Sequence, residues 1–167
     1  MVNVTLGGLP IVLHAGAPDQ SDSPLLGEAV VRMSEGAAVK MSHWSKAAGS
    51  ISLAGWMPPG LDGLDYSQPL VLCLTAQECM VAAGLVFALT SAPRPDVAPW
   101  AQALIGSDWV RAACAYDAGV ATVTAVPGGT LYMVQWMPTY SVFASKPPKS
   151  TSTSTGSFGS EIVWEEV

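Results

Sequence analysis

Charge is what this 167-residue chain has least of. Asp, Glu, Lys and Arg make up 12% of it, against about 25% in an ordinary globular chain, while half of the residues are hydrophobic. Thirteen acidic and seven basic side chains cannot cover the surface of a domain this size. Either small polar and apolar residues form that surface, or other chains cover part of it, because an obligate interface resembles a core cut in half. The second reading fits the composition better and predicts a subunit of an assembly. The basic residues are also scattered: Arg32, Lys40, Lys46, Arg94, Arg111, Lys146 and Lys149 form no run and alternate with no aromatic platform. A nucleic-acid partner is therefore not expected, since binding one needs a positive footprint that neutralises phosphates.

Reactive groups are equally sparse. The two histidines, His14 and His43, read as ordinary surface or strand-end residues, and no G-x-S-x-G elbow supplies a nucleophile for either to activate. The three cysteines, Cys73, Cys79 and Cys114, are odd in number and lack C-x-x-C spacing. They read as buried thiols of a protein folded in a reducing cytosol, not as a disulfide framework or a zinc site. Asp62 and Asp65 form only a D-x-x-D pair, too few oxygens for a calcium loop, and Asp62-Gly63 is more simply a turn. No phosphate loop, dinucleotide fingerprint or H-E-x-x-H occurs. The expectation is a protein that is not an enzyme and takes no cofactor and no metal. The longest apolar run, Met80 to Leu89, is far short of the about 20 residues a membrane helix needs. The first 13 residues have no basic start and no cleavage-type ending, which argues against a secretory signal and against a membrane partner.

What the chain does have is alternation. Val2, Val4 and Leu6, then Leu9, Ile11 and Leu13 after Gly7-Gly8, read as two short strands. Ala15 to Pro24, rich in Gly, Pro, Asp and Ser, reads as a loop. Glu28 to Met33 and Ala37 to Met41, joined through Ser34-Glu35-Gly36, carry a hairpin signature. Ile51 and Leu53 alternate again, and Leu70 to Leu74 is a buried-strand run. Met80 to Thr90 is ambiguous between helix and strand; Val81, Val86, Phe87 and the central Gly84 lean it towards strand. Short periodic pieces follow at Trp100 to Leu104, Trp109 to Cys114, Val120 to Val126, Leu131 to Trp136 and Tyr140 to Ala144. The predicted class is all-β, a sandwich or a barrel. Most of the six tryptophans sit in these runs and are expected in the core.

Two segments break the pattern. Trp56-Met57-Pro58-Pro59-Gly60-Leu61-Asp62-Gly63-Leu64-Asp65-Tyr66 has too much proline and glycine for a helix interior or a central strand, yet is rich in large apolar side chains. Such a loop either packs on its own core or is offered to a partner. Residues 146–160 (KPPKSTSTSTGSFGS) read as a flexible Ser/Thr-rich loop. Beyond it, Ile162, Val163 and Trp164 predict a final strand returning to the sheet. Trp56, Met57, Pro58, Pro59, Leu61, Leu64, Tyr66 and Trp164 are the candidate interface residues.

The opening Val4-Thr5-Leu6-Gly7-Gly8-Leu9-Pro10-Ile11, the Trp56–Tyr66 segment and the closing Trp164-Glu165-Glu166-Val167 resemble small virion proteins of long-tailed bacteriophages, of the distal-tail or minor tail-tip type. The resemblance implies a β-sandwich or split-barrel, tail-tube-like domain at 1–90 plus 127–167, with a small β insertion at 91–126. It implies a structural subunit of the virion tail, assembled in the host cytoplasm into a ring homo-oligomer, commonly a hexamer, around the tail channel. Its neighbours would be tail-tube, tape-measure and tip or hub proteins. A head decoration or head–tail joining protein, and a receptor- or glycan-binding module working through aromatics such as Trp56, are the alternatives.

Overall fold

The computed structural model describes residues 2–167 and is all-β, as the alternation predicts. Its sixteen strands pair antiparallel in three sheets. The arrangement is that of a β-sandwich, and no sheet closes into a barrel among the described residues. Two compact units form, one from residues 2–8 with Val71–Tyr140, the other from Leu9–Leu70 with Ser141–Val167.

The first unit is a small sandwich. Its four-stranded sheet has the order β10 (Asp108–Ala112), β9 (Trp100–Ile105), β13 (Leu131–Trp136), β6 (Glu78–Ala82). Its three-stranded sheet runs β11 (Cys114–Asp117), β12 (Val120–Val123), β7 (Val86–Ala88). Tyr132, Val134 and Trp136, alternate residues of β13, enter one core with Phe87 of β7 and with Ala101, Ala103 and Ala121. Alanine opposite large rings is how two facing layers fill a gap without voids. The polar ends of those rings are satisfied: Trp136 Nε1 donates to Ser91 Oγ at 2.8 Å, and Ser91 Oγ donates to a carboxylate oxygen of Glu78 at 2.8 Å. The β11–β12 hairpin turns through Ala118 (φ 45°) and Gly119 (φ 86°), both left-handed as a tight hairpin demands, although only glycine takes that geometry without cost.

Outside the sandwich, β1 (Thr5–Leu6) pairs with β5 (Leu70–Cys73), and β8 (Ala92–Pro93) pairs with the start of β14 (Pro138–Ala144). Arg94, 3% exposed, ties these pieces together. Its Nη1 donates to the carbonyls of Asn3 and Leu74, each at 3.0 Å, and its Nε and Nη2 form a bidentate pair with Asp96 at 2.7 and 2.8 Å. A buried guanidinium is tolerated only where its donors are paired in this way.

The unit reaches well beyond the expected insertion at 91–126. Strand β13 lies between β6 and β9 and bonds to both, so residues 78–88 and 131–136 fold with the stretch they bracket. The resemblance implied a contiguous insertion, whereas strand pairing joins its residues to segments on both sides of it. The ambiguous Met80 to Thr90 segment is two strands, β6 and β7, separated by a turn at residues 83–85.

In the second unit, β3 (Asp19–Arg32) pairs along its whole length with β4 (Ala38–Gly55). The inner half of β4, from Ala48 to Gly55, pairs on its other side with β16 (Ser157–Glu166), and β16 pairs with the end of β14. Ile51 and Leu53 of β4, Ile162 and Trp164 of β16, and Val142 and Ala144 of β14 point to one face and are buried. Two loop expectations are corrected. Strand β3 already begins at Asp19, within the predicted Ala15–Pro24 loop, because an edge strand with an exposed face accepts Ser, Asp and even Pro24. The predicted flexible stretch 146–160 contains a hairpin, β15 (Ser150–Ser152) pairing with Ser157–Gly159, since Ser and Thr side chains suit an exposed strand once a template edge is present.

Candidate functional site

The conspicuous surface lies in the outer half of the β3–β4 hairpin. β16 stops pairing at Ala48, so residues 24–47 continue as a ribbon of two strands with no third strand beside them among the described residues. Nine residues of β3, 24–32, carry it about 30 Å beyond the last three-stranded rung. Isolated two-stranded ribbons are marginal in water, because nothing covers either face and both edges present unpaired backbone groups.

The register sorts the ribbon's side chains into two unlike faces, since cross-strand partners and residues two apart share a side. One face holds Ala29 and Val31 opposite Met41 and Val39, and it continues to Met33 and Ala37 at the turn. The other holds Glu28, Val30 and Arg32 opposite Ser42, Lys40 and Ala38, with Lys40 and Glu28 joined in an ion pair. The first face carries no charge, yet Val31, Met33 and Met41 are about half exposed or more, Met33 reaching 61%. Next to it the ladder shifts register between Gly27 and Glu28, opposite His43 and Trp44. The Trp44 indole lies directly over Gly27, where a Cβ would meet its Nε1 at 2.3 Å, and half of the ring remains exposed. Glycine is needed there to seat the ring, which extends the apolar face towards the base of the ribbon. A contiguous uncharged strip exposed on a two-stranded ribbon is a candidate contact surface.

The proline loop is divided. Trp56 and Met57 are exposed, at 60% and 53%, and Pro58 is exposed with them. Pro59, Leu64 and Tyr66 are half-buried. Leu61 is buried at the start of a 3-10 turn, Leu61–Gly63, and Tyr66 folds back so that its hydroxyl donates to the Leu61 carbonyl at 3.0 Å. That partial burial raises the Tyr66 pKa. Trp164 is 1% exposed on the core side of β16. Leu61 and Trp164 therefore serve this chain's own core and do not face a partner. The structure does bring together the two segments that broke the sequence pattern. Asp62 of the proline loop and Lys149 beside the Ser/Thr hairpin form an ion pair, which holds the Asp62 carboxyl below its usual range. Between the two segments is a cleft of about 210 Å³.

Of the thiols expected in the interior, Cys73 is buried and Cys114 partly so, but Cys79 is exposed on edge strand β6. Tryptophan was also overassigned to the core: Trp136 and Trp164 are inside, whereas Trp44, Trp56 and Trp109 are exposed. Among the described residues no three His, Cys, Asp or Glu side chains converge to hold a metal ion, and no helix is long and apolar enough to cross a membrane. Sequence reasoning found the hairpin but not its role. The available signal was an uncharged set of alternate residues (29, 31, 33, 37, 39, 41) facing away from a charged set. No protein-family model matches the chain, and no curated protein does.

Proposed function

We propose that this chain is a structural subunit that assembles with copies of itself, and that its place is the tail of a long-tailed bacteriophage virion, as a tail-tip ring subunit bordering tail-tube, tape-measure and hub proteins. The observation that carries the assembly reading is the free β3–β4 ribbon. An uncharged strip of Val31, Met33, Val39, Met41 and Trp44 on two strands without a covering layer in their own unit offers a surface that another chain can cover. A second copy is the occupant the composition favours. With only 12% of its residues charged, the chain offers apolar flanks for the ribbon to meet, including Val81, Val86 and Trp109. Contacts between unlike patches of identical subunits close into a ring when the rotation between neighbours allows it. The placement in a phage tail rests on the resemblance of the opening, proline-loop and closing segments.

Native mass spectrometry and negative-stain imaging of the purified chain test the reading. Closed rings of one stoichiometry support it, as does a Val31→Asp, Met41→Asp double variant that stays folded and monomeric. A wild-type chain that remains monomeric at all attainable concentrations overturns it.

A further inference from the structure

The cleft between the proline loop and the Ser/Thr hairpin lies within the second unit and plays no part in the assembly argument. Pro58, Pro147 and the half-buried Phe158 ring are among its lining residues and make its walls stiff and apolar. Its rim is polar, carrying the Asp62–Lys149 ion pair. Ser160 is the informative residue. Phe158, Ser160, Ile162 and Trp164 are alternate residues of β16 and share its inward face, and Ile162 and Trp164 there are fully buried. A packed core would put an apolar side chain at 160. Instead the Ser160 Oγ is buried with no hydrogen-bond partner among the described residues, while the residue lines the cleft. An unmet buried hydroxyl costs free energy, and rotation about the Ser160 Cα–Cβ bond towards the cleft would let a ligand's polar group recover it.

The cleft's size and charge narrow the ligand. At about 210 Å³ it is smaller than sites for drug-sized molecules, which start near about 300 Å³, so it takes a single ring. Because Asp62 and Lys149 neutralise one another, an ionic ligand would have to compete with that pair, whereas a neutral ligand can accept from the ammonium and donate to the carboxylate. A neutral ring with one apolar face and a polar edge satisfies every wall: the face lies against Phe158 and the prolines, and the hydroxyls meet Asp62, Lys149 and Ser160. We infer that this cleft binds one neutral sugar unit, a pyranose, of a surface glycan. The site lies outside the ribbon, so it stands or falls independently of self-assembly.

Saturation-transfer NMR on the full chain tests this, with glucose, galactose, mannose, rhamnose and N-acetylglucosamine, each at millimolar concentration, and a proline-rich peptide as the competing probe. The expected result is transfer from the protein to at least one sugar, weakened tenfold or more in Phe158→Ala and in Ser160→Ala. Ser160→Ala is the decisive variant, because deleting an unsatisfied hydroxyl leaves the thermal midpoint unchanged or higher while removing a ligand contact. No transfer to any of the five sugars, transfer unaffected by both substitutions, or binding of the peptide alone would each overturn the inference. Native mass spectra of the same samples report assembly separately, so failure of one reading is not mistaken for failure of the other.

Discussion

The sandwich of the first unit and the β3–β4 ribbon of the second are written in the same sequence idiom and end in opposite environments. Tyr132, Val134 and Trp136 alternate with half-exposed neighbours and vanish into a core, because a three-stranded sheet lies across from them. Ala29, Val31 and Met33 alternate just as regularly and stay exposed, because among the described residues of its own unit no sheet lies across from the ribbon. Periodicity thus specifies which side chains share a face; a second layer decides whether that face is an interior or a contact surface. Within its own unit the ribbon is a half-core without a second layer.

That contrast can be broken from either side. The largest effect is expected from replacing residues 27–44 with an Asn-Gly turn, which closes the hairpin at the Leu26–Ser45 rung. Assembly should be lost outright, while the melting transition of the remaining chain is retained, as read by sedimentation and circular dichroism. The opposite pattern is expected from Trp136→Ala, which removes a buried ring and should cost about 3–5 kcal/mol in denaturant unfolding without altering stoichiometry in the chains that remain folded. Arg94→Ala should cost about 3 kcal/mol in the same assay, because it strips the buried Leu74 carbonyl, the part-buried Asn3 carbonyl and Asp96 of their donors.

Acid should loosen the first unit. The Arg94 hydrogen bonds hold the Asp96 pKa below its ordinary value, so the bridge contributes stability above the unfolded carboxylate range and loses it as pH falls through the lowered folded value. Thermal midpoints should fall below about pH 4, and Asp96→Asn should flatten that part of the profile. Since Asp96 is largely solvent-exposed, the effect is modest. The smallest change is a gain: Ala118→Gly relieves a left-handed alanine in the β11–β12 turn and should add about 0.5–1 kcal/mol.

Much of the fold could be read from residue order alone, and the reasons are local. Glycine-centred turns such as Ser34-Glu35-Gly36 and Ala118-Gly119 mark hairpins, and the spacing of Ile162 and Trp164 marks a returning strand. Pairing between distant strands was not legible, because β13 carries no residue that announces β6 and β9 as its two neighbours. Nor was the fate of the apolar faces. Trp44 and Trp136 are the same residue type in similar runs, and only the sheet opposite Trp136 separates them. The proline loop stands out by its unusual composition, yet Leu61 turns inward, whereas the ribbon's ordinary strand pattern reads as a hairpin and does not disclose an exposed apolar face.

Hydrogen exchange followed against protein concentration probes the missing layer most directly. If sister subunits cover the ribbon, amides of residues 24–47 gain protection as concentration rises and oligomers form, while those of β9 and β13 do not change. Exchange in residues 24–47 that is independent of concentration, in a sample that has assembled, would show that the ribbon is not the surface through which this chain meets its copies.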